Sequence, residues 1–149
     1  MVDFNNPVAI AADHAGFCYK EFLKEKLSAE GYIFHDFGTF SIESVDYPDF
    51  IHPLANAIQN KKFNAGIIIC GSGNGASMVA NRYPDVRSAI CWNEEITKLA
   101  RRHNNANVIS IPARFVSEDE ALNMVRIFFT TGFEGGRHET RVNKISQTS

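Results

Sequence analysis

With 149 residues, 44% of them hydrophobic, the chain has enough core for one domain that folds without disulfide staples. Its formal net charge of −2 argues against a general nucleic-acid binder, which presents a basic face. No apolar run approaches the ~20 residues of a membrane helix, so no membrane association is expected.

The first segment, "MVDFNNPVAI", has no basic stretch ahead of a long apolar run, so a signal peptide is not expected. Cys18, Cys70 and Cys91 form no CxxC pair and no disulfide framework. A reducing, cytoplasmic setting follows as the expectation.

"PVAIAAD" reads as the first strand, and "HAGFCYKEFLKEKLSAEG" as the helix after it, with Phe17, Phe22, Leu23 and Leu27 on one face. Gly31 stands where a helix C′ residue belongs. "YIFHDF" is a short second strand, followed by the turn-rich loop "GTFSIESVDYP". In "DFIHPLANAIQNKK", Ile51, Leu54, Ala55 and Ile58 recur at helical spacing, and Pro53 is expected in the first turn. The isoleucine run of "AGIIICGSGNGAS" predicts a buried third strand ending at Cys70, then a glycine turn, then a helix from Ala76 to Ala80.

"VRSAIC" and "ANVISI" predict strands four and five. Between them "NEEITKLARRHN" sets acids early and bases late, as a helix dipole favours. Ser117 and Glu120 stand at capping-box spacing before the amphipathic "ALNMVRIFF". Five strand-then-helix units imply a Rossmann-like α/β domain, a parallel sheet with helices on both faces. One domain covers residues 1–149, with 132–149 as a C-terminal arm outside the pattern.

Open parallel sheets bind ligands beyond the carboxyl ends of their strands. Those ends carry Asp13 and His14, Cys70 with its turn, Cys91, and Pro112 with Arg114. Cys70 has two readings: a small buried hydrophobe, or a thiolate favoured by the neighbouring backbone N–H groups. Cys18 and Cys91 read as inert packing. Asp13 with His14 either caps the first helix or meets a ligand. His103 and Asn104 fall at the far end of the fourth helix, so a loop or another subunit must bring them to a site. His103 otherwise reads as a helix-end cation. Arg114, Arg137 and Arg141 read as solvated charges, although Arg137 and Arg141, with His138 between, would clamp a phosphate if the arm is helical.

The five histidines are scattered without HExxH-like spacing, so no metal site is expected. "GSGNGA" satisfies G-x-G-x-x-A after a strand, with Glu94 and Glu95 about 20 residues on, which keeps a nucleotide-binding or redox-sensing protein as an alternative.

In combination and order, "DHAG", "DYPDF", "ICGSGNG", "RRHNNANV" and "EGGRHETRV" make the chain similar to the ribose-5-phosphate isomerase B family and its allose and galactose 6-phosphate relatives. The resemblance implies a single three-layer α/β/α domain with a five-stranded parallel sheet. It implies an aldose–ketose isomerase of the non-oxidative pentose phosphate pathway that uses no cofactor, binds a small sugar phosphate and builds shared active sites in a homodimer or tetramer. Carried over, it makes Cys70 the base between C1 and C2, His103 the acid for ring opening and Ser72 a proton relay between O1 and O2. It makes Asp13, His14, Tyr47, Gly71, Ser72, Gly73, Asn74, Gly75, Asn104, Arg114, Arg137, His138 and Arg141 substrate contacts. Some family members place the base on a glutamate just after the glycine turn. Ala76 stands in that neighbourhood here, which assigns the chain to the cysteine-based branch.

Overall fold

The computed structural model describes residue 3 and residues 5–148. Five parallel strands, β1 (Val8–Ala12), β2 (Phe34–Asp36), β3 (Gly66–Cys70), β4 (Ser88–Ile90) and β5 (Val108–Pro112), form one sheet in the order β2-β1-β3-β5-β4. Strands β1, β3 and β5 are buried along their whole length, as continuous apolar runs demand, whereas the edge strands β2 and β4 are partly exposed. The register sets Ile69 beside Ala12 and Ile111, and Cys70 beside Pro112, so the carboxyl ends of β1, β3 and β5 lie together.

Alternation along β3 divides the core into two layers. Ile67 and Ile69 pack with Leu23 and Leu27 of α1 (Phe17–Ala29), Ala100 of α4 (Glu94–Arg102) and Phe128 of α5 (Glu118–Thr130). Ile68 and Cys70 face the opposite layer, with Ile51, Leu54 and Ile58 of α2 (Tyr47–Gln59) and Ala76 and Ala80 of α3 (Asn74–Ala80). Each fully buried isoleucine contributes about 1.5–3 kcal/mol relative to exposure. The expected three-layer arrangement is the one the chain adopts. Among the described residues, no helix is long and apolar enough to cross a membrane.

Local signals account for some helix ends. Ser117 and Glu120 form the reciprocal capping box, at 3.0 and 3.2 Å. Asn93 accepts the Ile96 N–H at the start of α4, and Gly31 follows α1 with φ 103°. Two helices begin earlier than their sequence predicts. α3 starts at Asn74, immediately after Gly73 turns at φ 77°. α2 starts at Tyr47, with Pro48 in its first turn, so Pro53 lies inside the helix rather than in that turn. Packing of Ile51, Leu54 and Ile58 on the sheet, each 0–2% exposed, outweighs the missing N–H of Pro53. Beyond the five units the arm forms a further helix, α6 (Arg137–Lys144).

Lys20 is the unexpected member of the α1 core face. Its side chain is fully buried, and its ammonium contacts Asp36 Oδ2 at 2.5 Å and Glu21 Oε1 at 2.8 Å. Lys24 reaches the same Asp36 oxygen at 2.8 Å, while Asp36 Oδ1 accepts the Gly38 N–H. Burial works against the Asp36 carboxylate, yet hydrogen bonds from Lys20, Lys24 and Gly38 hold its pKa below the ordinary value. Asp36→Asn leaves the buried Lys20 ammonium with Glu21 as its one remaining carboxylate and should cost about 1–3 kcal/mol in urea unfolding at neutral pH. Because the folded pKa is lowered, this contribution is present above the unfolded value of ~3.9 and is lost as pH falls through the folded one. An Asp36→Asn variant as stable as wild type at neutral pH would show that the pair does not hold this corner.

Candidate functional site

The turn after β3 is fixed from several sides. Cys70, 4% exposed, ends the strand, and its carbonyl accepts the Ala113 N–H at 2.9 Å. The Gly71 carbonyl accepts the Arg114 N–H at 3.0 Å, and Ser110 Oγ of β5 donates to the Gly73 carbonyl at 2.7 Å. Gly73 needs its freedom here, since its φ of 77° is left-handed. Ser72 is exposed, and its Oγ accepts both the backbone N–H and the side-chain amide of Asn74, each at 3.2 Å. With its lone pairs so occupied, the Ser72 hydroxyl proton is left to donate.

Three neighbouring elements close on this turn. Arg114 lies over Gly71 so closely that a Cβ there would sit 3.3 Å from its guanidinium. Tyr47, the first residue of α2, covers Gly75, where a Cβ would meet the ring at 2.4 Å. From β1, the Asp13 N–H donates to the Ile69 carbonyl at 3.2 Å, which sets Asp13 beside the end of β3. Asp13 Oδ1 accepts the N–H groups of Ala15 and Gly16, at 2.9 and 3.2 Å, which closes the turn ahead of α1. The helix itself has Gly16 as N-cap with no side-chain cap, so Asp13 does not cap it. His14 Nδ1 accepts the Val45 N–H at 3.1 Å, which assigns the ring proton to Nε2 and ties the loop before α2 to the site. A cleft of about 460 Å3, lined by Ser72, Asn74, Ile90, Trp92, Pro112 and Phe115, opens on the turn.

Burial pushes the Cys91 thiol up to about 11, against a weaker opposing hydrogen bond from Thr97, so Cys91 stays a thiol at neutral pH. That agrees with reading it as packing. Cys18 is exposed on α1.

The remaining candidates gather elsewhere. α4 runs back from the carboxyl end of β4 toward the start of β5, and His103 is its C-cap. There His103 stacks on His138 of α6, with ring centroids 4.2 Å apart and planes 9° from parallel. Asn104 lines a second cavity beside the start of β4. Arg137, His138 and Arg141 sit on one helix, with the arginines four residues apart, as a clamp requires. Burial, helped by the charges of His103 and Arg137, holds the His138 pKa below the ordinary histidine value. Within one chain, then, Asp13, His14, Tyr47, Cys70, the turn and Arg114 form one group. His103, Asn104, Arg137, His138 and Arg141 form another, toward the opposite end of the strands, where α4 leads into β5.

A family model described as Ribose/Galactose Isomerase matches residues 8–145, which include both groups. The chain belongs to this family. Among its isomerase relatives, the ribose-5-phosphate isomerase B of Escherichia coli is 34% identical over 139 residues, 93% of each chain. The crystal structure of a Thermotoga maritima ribose 5-phosphate isomerase has a TM-score of 0.92 at 43% identity, covering 95% of this chain and 97% of that one. A Mycoplasma genitalium ribose-5-phosphate isomerase B, solved with bound ribulose-5-phosphate, has a TM-score of 0.90 at 37% identity, covering 94% and 93%. Membership of the isomerase family gives the "GSGNGA" motif a context other than dinucleotide binding.

Sequence reasoning missed Glu134, which lies between His103 and His138, and missed the buried Lys20. For Lys20 the signal was available, because it stands three and seven residues before Leu23 and Leu27 on the apolar face.

Proposed function

We propose that this chain is an aldose–ketose isomerase that interconverts D-ribose 5-phosphate and D-ribulose 5-phosphate, a step of the non-oxidative pentose phosphate pathway. The observation that carries this reading is the Mycoplasma genitalium relative with ribulose-5-phosphate bound, alike over 94% of this chain. The thiolate of Cys70 takes the C2 proton of the open-chain aldose and returns it at C1. The enediolate formed between these steps is stabilised by N–H groups of the Gly71–Gly75 turn, at about 2.7–4 kcal/mol for each well-placed donor. Ser72, whose hydroxyl proton is free to donate, relays a proton between O1 and O2. Asp13, His14, Tyr47, Asn74 and Arg114 surround the sugar.

Ring opening needs an acid at the ring oxygen, and the sugar phosphate needs a cationic clamp. His103 supplies the first, and Arg137, Arg141 and His138 the second, with Asn104 beside them. Since these stand toward the opposite end of the strands from Cys70 in one chain, each site combines Cys70 of one protomer with His103 of the partner subunit. A homodimer is the smallest assembly that does this. Unpaired cysteines and a phosphorylated substrate suit the cytoplasm.

Direct measurement of ketose formation from ribose 5-phosphate, allose 6-phosphate and galactose 6-phosphate tests the assignment. Ribose 5-phosphate should have a kcat/KM at least about tenfold above both six-carbon sugars, or about 1.4 kcal/mol of transition-state discrimination. A preference for either six-carbon sugar would move the protein to that branch of the family. Thermal stabilisation by NAD(H) or nucleotides and by none of the sugar phosphates would replace the isomerase reading altogether.

A further inference from the structure

At the junction of α4 with the arm, Glu134, which the proposed isomerisation does not use, joins His103 and His138 in one cluster. The Glu134 N–H donates to the Arg102 carbonyl at 3.0 Å, which pins the arm against the end of α4. Gly135 and Gly136, at φ 70° and 57°, then turn the chain into α6. As a result Glu134 Oε2 lies 3.6 Å from His138 Nε2 and 4.0 Å from His103 Nε2. One donor atom from each of the three residues falls within 4.8 Å of the other two.

Tetrahedral zinc, with bonds of 2.0–2.2 Å, sets neighbouring donor atoms about 3.4 Å apart. The Glu134–His138 pair, at 3.6 Å, is already near that spacing. The His103–Glu134 pair, at 4.0 Å, closes by about 0.6 Å, and the two imidazole donors, within 4.8 Å, close by up to about 1.4 Å. The side chains of His103 and Glu134 are 38% and 50% exposed, so they have room to make that movement. We propose that His103, Glu134 and His138 form a binding site for a zinc-class divalent cation, with two imidazole nitrogens, one carboxylate oxygen and a fourth position open to water or a phosphate oxygen. Two nitrogens and one oxygen suit Zn2+ or Co2+, whereas Mg2+ and Ca2+ prefer oxygen donors throughout.

Chelation has structural consequences. The stacked rings must splay so that both lone pairs point to one spot, and both imidazoles must be neutral. Arg137 and Arg141 face the same ring and oppose a cation, while Glu134 favours one. That balance makes a site of modest affinity, filled by excess free metal and emptied by a chelator, and thus a reversible brake. Its effect on turnover rests on the proposed ring-opening role of His103, which a bound cation would remove.

Cobalt titration of the whole, metal-free protein tests the site without reference to activity. Co2+ should bind once per chain with the visible bands of a tetrahedral nitrogen–oxygen site, and Zn2+ should displace it. Glu134→Gln, with its fold checked by circular dichroism, should weaken binding by about tenfold or more, the scale of losing even an outer partner. Unchanged affinity in that variant would overturn the site. So would a thiolate-to-cobalt charge-transfer band that disappears in Cys18→Ser, since it would place the metal on the exposed cysteine of α1. In parallel, Zn2+ should inhibit wild type on ribose 5-phosphate, reversibly with EDTA, at lower concentrations than it inhibits Glu134→Gln. Saturated binding with undiminished turnover would overturn the brake.

Discussion

Cys70→Ala should abolish turnover of ribose 5-phosphate, and exchange of the substrate C2 proton with solvent should stop with it. Removal of a positioned general base typically costs 10²–10⁴-fold, and no second thiol faces the turn to replace it. Cys91 is fully buried, with its pKa raised to about 11, and belongs to the layer on the other side of the sheet from Cys70. Cys91→Ala and Cys18→Ala should therefore keep most activity. The fold should survive, because Cys70→Ala trims a single atom from a side chain packed among Ile51, Leu54 and Ala76. Sugar-phosphate binding should persist as well, which thermal shift would register. Turnover within tenfold of wild type, about 1.4 kcal/mol of barrier, would remove Cys70 from the role of base.

The second large effect is a recovery. Cys70→Ala and His103→Ala should each be severely impaired alone, yet refolding an equal mixture should restore about a quarter of wild-type activity. In such a mixture half of the dimers are mixed. Each mixed dimer has one site with both defects and one site with neither. The prediction follows from the distance between the two residues, which lie near opposite ends of the sheet within a chain. Activity of the mixture no greater than the mean of the two variants would show that each chain completes its own site.

Much of this was legible in the sequence because the strongest signals are local or periodic. The isoleucines of β3 announce a strand buried on both faces, and the capping box announces α5. The chemistry at strand ends was legible too, since a parallel sheet collects those ends on one side. What local reasoning could not supply was the meeting of distant segments. Tyr47 reaches Gly75, and Arg114 reaches Gly71, only because α2 and β5 flank β3. The start of α2 was misread because Pro53 is locally a helix breaker, and its tolerance depends on the apolar face packed beneath it. Glu134 was passed over because its neighbours come from separate segments. His138, four residues on, meets it through the turn at Gly135 and Gly136, and His103 through the Glu134–Arg102 backbone hydrogen bond, so the trio forms only once the arm docks on α4.

Gly16 and Gly75 are under different kinds of restraint, and this bears on how the family can diverge. A methyl group at Gly16 would come within 2.6–2.7 Å of the Ile69 side chain and carbonyl, because α1 presses directly onto β3. The carbonyl belongs to a central strand and cannot yield, so natural selection will purge every larger residue there without substrate ever touching position 16. At Gly75 the obstacle is the outer end of the Tyr47 ring, which can swing aside. That position can drift wherever residue 47 is smaller, and the two should change together across lineages. Invariance at position 16 would thus record the thickness of a helix–sheet contact, whereas paired change at 47 and 75 would record the shape of the pocket mouth.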